Sequence, residues 1–114
     1  MSVKLTNRQV GDVTVIDANG RITLGEGSST FRDSIKDLTA RGNKKLLLNL
    51  GDVTYIDSSG IGELVSGFTS VTNQDGQLKL LNLSKRVKDL LQITKLYTVF
   101  EVFDDEAAAV RSFS

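Results

Sequence analysis

Residues 46–65, "LLLNLGDVTYIDSSGIGELV", decide the reading of the chain. They open on an apolar run without alternation, Leu46 to Leu50, the pattern of a central strand covered on both faces. They close on the start of a helix over 60–73, with Ile61, Leu64, Val65, Phe68 and Val71 on one stripe and Glu63, Ser66 and Thr69 facing away. Between strand and helix stand an acid, two serines and two glycines. In α/β sheets the loops beyond the carboxyl ends of the strands form the functional surface, and "YIDSSGIG" (55–62) falls there.

On the N-terminal side, "VKLTNRQV" (3–10) alternates weakly and reads as an edge strand. "VTVIDANGRI" (13–22) is a better strand, with Val13, Val15 and Ala18 on one side and Asn19-Gly20 punctuating it. Gly11-Asp12 between the two runs predicts a hairpin. In "GEGSSTFRDSIKDLTARG" the i, i+4, i+7 spacing of Phe31, Ile35 and Leu38 predicts a helix, capped by Ser28 or Ser29 and closed by Gly42 in the left-handed conformation. "KKLLLNL" (44–50) is the central strand.

On the C-terminal side, Asp75-Gly76 turns the chain into "QLKLLNL", a further buried strand. Ser84 caps a short helix with Val87, Leu90 and Leu91 inward and Lys85, Arg86 and Lys88 outward. "YTVFEVF" (97–103) reads as a strand, and "DDEAAAVRSF" as a final helix with three acids in its first turn, at the positive end of the macrodipole. The order β-β-α-β-α-β-α-β-α predicts a single α/β domain over 1–114: a small mixed sheet, mainly parallel in its centre with an edge hairpin, and about four helices.

Composition narrows the chemistry. With 14 basic and 14 acidic residues the net charge is zero, so no global field draws nucleic acid or an anionic membrane. "SKRVK" (84–88), without interleaved aromatics, reads as a solvated face whose exposed side could still meet an acidic partner. There is no Cys and no His, which removes disulfides, thiolate chemistry, the usual general base and a Ser-His-Asp triad. No acid cluster has calcium-loop spacing, so neither metal nor cofactor is expected. No apolar run approaches the roughly 20 residues of a membrane span, and "MSVKLTNRQV" lacks a signal-peptide core. A cytoplasmic binding module, not an enzyme, is the expectation.

Known site chemistries fail at the motif. A nucleophile elbow needs Gly two residues before Ser58, where Ile56 stands. A dinucleotide fingerprint starting at Gly60 would need Gly at Val65, and a P-loop in "GRITLGEG" would need Lys at Glu26. Capping is the plain alternative: Asp57, Ser58 or Ser59 can accept from first-turn N–H groups, worth about 1 kcal/mol. One cap needs one such residue, however, and three stand in line. Gly60 and Gly62 each cost a helix about 1 kcal/mol relative to Ala, and they leave a flat start that another backbone can approach.

These residues resemble the signature of the STAS domain (sulfate transporter and anti-sigma factor antagonist), whose single-domain members are the bacterial anti-anti-sigma factors. The likeness is an apolar strand, a D-V-T-[FY]-[IM] step and D-S-S-G-[IL]-G opening a helix, flanked by "VIDANGRI" and "GQLKLLNLSKRVKDLLQITKLYTVFEVFDDEAAAV". It implies a small α/β sheet with helices mainly on one side. It also implies a partner that is both anti-sigma factor and GHKL-type serine kinase: the unphosphorylated antagonist binds it and frees sigma, the phosphorylated form lets go, and a serine phosphatase resets the switch. Carried over, the phosphoacceptor is Ser58, the adjacent acid Asp57, and the docking surface includes Ser59, Gly60, Ile61 and Gly62. Family members often carry Gly-x-Leu-Asp before the first helix, at the partner or phosphotransfer site. Here Thr23 holds the Asp position, so either Glu26 substitutes or the partner differs. Two other readings remain at this point: a STAS subunit of another assembly, stressosome-like or accessory to a lipid transporter, and, last, a weak nucleotide hydrolase using the helix N-terminus.

Overall fold

Strands β1 (Val3–Val10), β2 (Val13–Ile22), β3 (Lys45–Ile56), β4 (Gln77–Leu81) and β5 (Val102–Phe103) form one sheet in that order in a computed structural model, which describes residues 3–22, 26–96 and 98–113. β1 and β2 pair antiparallel across the two-residue Gly11-Asp12 turn, with Gly11 at φ +63°. The remaining pairings are all parallel, giving the mixed sheet with an edge hairpin that the sequence predicts.

Helices α1 (Glu26–Ala40), α2 (Ser58–Asn73) and α3 (Lys85–Ile93) are the three crossovers. A strand order that steps one way across the sheet, joined by right-handed crossovers, puts every crossover helix on the same face. Phe31, Ile35 and Leu38 of α1, Ile61, Leu64 and Val71 of α2, and Val87 and Leu91 of α3 accordingly share one core with Ile16, Leu46, Leu48 and Leu50 of the sheet. Helix α4 (Glu106–Ser112) follows the last strand and covers the opposite face, where Ala109 and Phe113 pack on Val13, Val15, Leu47 and Leu81. The two-sided burial of the Leu46–Leu50 run follows from this layering.

Several local expectations are corrected. Ala18 shares the core of the crossover helices, opposite Val13 and Val15, as the two-residue period of a strand requires. β2 itself runs to Ile22 as expected, carried through Asn19-Gly20 by a shift in register around Gly20, which takes φ +114°. The same irregularity carries β3 past Gly51-Asp52 to Ile56, six residues beyond the expected Leu50. α1 starts at Glu26, so Ser28 and Ser29 lie in its first turn rather than before it. Gly42 closes that helix at φ +89°, as expected.

The strand expected over 97–103 contracts to Val102–Phe103, and Tyr97 lies outside the described residues. Phe100 turns into the core instead, edge-on to Phe68 with centroids 5.3 Å apart. Of the three acids expected in the first turn of α4 only Glu106 is there, because Asp105 is the N-cap, accepting from Ala108 N, and Asp104 precedes it.

Polar contacts pin α4 to the sheet. Lys79 is buried, and its Nζ donates to the Ser112 carbonyl and Oγ at 2.9 Å each and lies 4.7 Å from the Phe113 ring centroid. Arg8 of β1 donates to Asp17 Oδ2 at 2.6 Å and also bonds Glu106. These hydrogen bonds, opposed by partial burial, hold the Asp17 and Glu106 carboxyls below their ordinary range. A lowered folded-state pKa stabilises the fold above the unfolded value of about 4 and is lost as pH falls through the folded value. Arg8→Met should therefore flatten the acid limb of stability below about pH 4, by at most about 1 kcal/mol for such half-exposed groups. Urea midpoints measured from pH 6 to pH 2.5 at low and high salt check this.

Candidate functional site

β3 outruns its neighbour. β4 pairs only with Lys45–Asn49, whereas β2 follows β3 to Ile56. Beyond Asn49 the flank of β3 away from β2 therefore has no strand on it, and α3 packs along β3 there. A groove of about 640 Å³ opens between them. Tyr55, Ile56, Asp57 and Ser58 form one wall, and Lys85, Arg86, Asp89, Leu90 and Ile93 the other.

Asp57 is the N-cap of α2, at φ −105° and ψ −177°, and its Oδ1 accepts from Gly60 N at 2.8 Å. That frees both serines from capping. Ser58 and Ser59 are the first two residues of the helix, both exposed, and among the described residues neither hydroxyl has a partner. Ser58 opens onto the groove.

The two glycines differ. Gly60 is buried, and a Cβ there would stand 2.3 Å from the Ile22 carbonyl oxygen and 2.7 Å from Ile56 Cγ1. Its missing side chain lets α2 start against the end of β2, an internal contact rather than a flat outer face. Gly62 is exposed, with nothing within 4 Å of a Cβ. Ile61 is buried in the core. The surface of the motif thus consists of Ser58, Ser59, Gly62 and the half-buried Asp57, while Gly60 and Ile61 hold it from behind.

Thr23 lies outside the described residues, and Glu26 is the first residue of α1. Ile22, which immediately precedes Thr23, pairs with Ile56, so β2 ends beside the motif. Arg32 of α1 bonds Glu63 of α2 through two donors, at 3.1 and 3.0 Å, and braces the two helices.

The α3 wall is absent from the sequence reading. Lys85 and Arg86 point to solvent as expected, yet they face the groove beside Ser58. The guanidinium of Arg86 lies 4.7 Å from the Tyr55 ring centroid, and that of Arg21 at 4.8 Å. Ile93 is 77% exposed. Its one legible signal was phase: an apolar residue off the Val87, Leu90, Leu91 stripe.

Among the described residues no group of three or more acids could hold a metal ion, and no helix is long and apolar enough to cross a membrane. Fold and site together are those of a small α/β domain that presents a serine-bearing helix start. Residues 4–109 match the STAS domain family, and the chain belongs to it. It is similar to the anti-sigma-B factor antagonist of Bacillus subtilis (strain 168), 39% identical over 102 residues that cover 90% of this chain and 92% of the relative. Its fold is similar to that of an anti-sigma factor antagonist from Mycobacterium paratuberculosis (TM-score 0.82, 14% identity, 97% and 93% of the two chains). It is also similar to that of the Bacillus cell fate determinant SpoIIAA in the phosphorylated form (TM-score 0.75, 19% identity, 97% and 100%).

The division of labour in the motif separates by stability. Asp57→Ala should cost about 1 kcal/mol as a lost cap, whereas Ser58→Ala and Ser59→Ala should each stay within about 0.5 kcal/mol, as exposed positions do. Gly60→Ala should cost about 1–3 kcal/mol through overpacking on the Ile22 carbonyl, while Gly62→Ala should be neutral or stabilising by up to about 1 kcal/mol. Urea denaturation of the five variants checks both contrasts.

Proposed function

We propose that this chain is an anti-sigma factor antagonist, a cytoplasmic binding protein rather than an enzyme, switched at Ser58. The unphosphorylated form binds an anti-sigma factor that is also a GHKL-type serine kinase, and sigma is freed. The kinase then transfers the γ-phosphoryl group of ATP to Ser58 Oγ, leaving ADP and the hydroxyl proton, and the complex separates. A serine phosphatase restores the hydroxyl.

The observation that carries this reading is the position of Ser58: exposed at the head of α2, relieved of capping by Asp57, and on the rim of the groove. The likeness to the B. subtilis antagonist supports it. A phosphate adds about −1.5 to −2 charges at pH 7. At a helix N-terminus that charge is tolerated by the fold, but next to Asp57 and within an interface it brings repulsion and bound water. Losing a few kcal/mol of contact lowers affinity a hundredfold or more, without refolding.

In this reading the partner meets Ser58, Ser59 and Gly62 directly, with Leu90 and Ile93 as the apolar floor of the groove and Lys85 and Arg86 as its basic rim. This reading also assigns partner contacts to Thr23 and Glu26; Ile22, the residue before Thr23, pairs with Ile56.

The test uses wild type, Ser58→Ala and Ser58→Asp as baits in lysate of the source organism, read by mass spectrometry. Wild type and Ser58→Ala should retain a GHKL-type kinase and Ser58→Asp should not. Capture of the same non-kinase complex by all three baits would leave the motif a helix cap and docking face, with no switch at Ser58.

A further inference from the structure

On the reading that Ser58 is the phosphoacceptor, we propose that its phosphate is received within the same chain, by Arg86 and Lys85 across the groove. Ser58 and these two side chains line one cavity. Six of the 14 cations, Arg8, Arg32, Arg41, Lys45, Lys79 and Lys88, have a carboxylate within ion-pair distance. Among the described cations that have none, Lys85 and Arg86 line the groove, and Arg86 and Arg21 lie over one ring, Tyr55, at the foot of the Ser58 wall. A π face is a weaker partner for a guanidinium than a phosphate that it can grip through two parallel hydrogen bonds. Arg86 is therefore held close to Ser58 by a contact it can exchange for a better one.

The groups facing the phosphate are few enough to weigh. Asp57 and Asp89 also line the groove and oppose it. The Asp57 carboxylate is fixed by its bond to Gly60 N, and both acids are short. Lys85 and Arg86 sit on long stems, both exposed, and can swing to the phosphate. A phosphate placed opposite such a pair makes new charge-assisted hydrogen bonds. Once made, they bridge α2 to α3 over the mouth of the groove and remove its basic rim from any partner. Phosphorylation would then close the docking surface as well as repel from it.

The experiment places phosphoserine at position 58 during translation, so no kinase is needed, and follows the phosphate by ³¹P NMR from pH 4 to pH 8. The phosphate should titrate below its ordinary value of about 6. Arg86→Gln combined with Lys85→Gln should raise that pKa by about half a unit or more, since two facing cations favour the dianion. Lys4→Gln with Lys36→Gln, an equal loss of charge elsewhere, should leave it in place. The helix start and Asp57 are the same in every variant and drop out of the comparison, and circular dichroism checks that the exposed substitutions keep the fold. An unchanged pKa in the Lys85/Arg86 variant, or an equal rise in the Lys4/Lys36 control, would overturn the proposal. A shift found in the absence of any captured kinase would keep the anion pocket and discard the switch. A captured kinase without the shift would do the reverse.

Discussion

The site exists because two parallel strands differ in length. β3 runs for 12 residues and β4 for 5, so the ladder between them stops at Asn49 and Leu81 while β3 continues to Ile56. A strand edge without a partner must be covered or left to water. α3 covers it incompletely, and the gap is the groove that holds Ser58 on one wall and the Lys85–Ile93 helix on the other. Had β4 paired to the end of β3, the start of α2 would border a closed sheet, with no concave surface beside the serines.

The short motif divides its work among residues that the sequence leaves equivalent. Asp57 takes the cap, Gly60 takes the close approach to Ile22, Ile61 enters the core, and Ser58, Ser59 and Gly62 remain outside. Each assignment constrains the next. With the cap satisfied by a carboxylate one residue earlier, modifying Ser58 removes no hydrogen bond from the helix. With Gly60 seated on a backbone carbonyl, the helix start cannot shift to accommodate a bulky group, so the group must project outward. A rigid, pre-capped helix start is what a switch confined to the surface requires.

How much of this was legible depends on the range of the interaction. Elements set by local periodicity were read correctly: the Phe31, Ile35, Leu38 stripe, the Ile61 to Val71 stripe, the Gly11-Asp12 turn and the Ser84 cap. Features set by partners distant in sequence were not. The strand expected over 44–50 runs on to Ile56, because β2 pairs along it. "YTVFEVF" has strand composition, but Phe100 finds Phe68 and the pairing shrinks to two residues. The groove is the clearest case. Nothing local in "SKRVK" says that it faces Tyr55, and only the mismatch of β3 and β4 brings it there.

The placement of charge in a chain of zero net charge carries the last step. Ion pairs close the periphery, joining β1 to α4 through Arg8 and α1 to α2 through Arg32. Exposed pairs of this kind contribute little to stability one by one, and the ion pairs engage six of the 14 cations. Of the cations outside these pairs, Arg21, Lys85 and Arg86 gather at one place, around Tyr55. In this neutral protein Lys85 and Arg86 share the groove of the exposed serine with two acids, Asp57 and Asp89. On the proposed reading, the two basic side chains are engaged within the chain once the serine carries a phosphate, and neither state needs a change in the core.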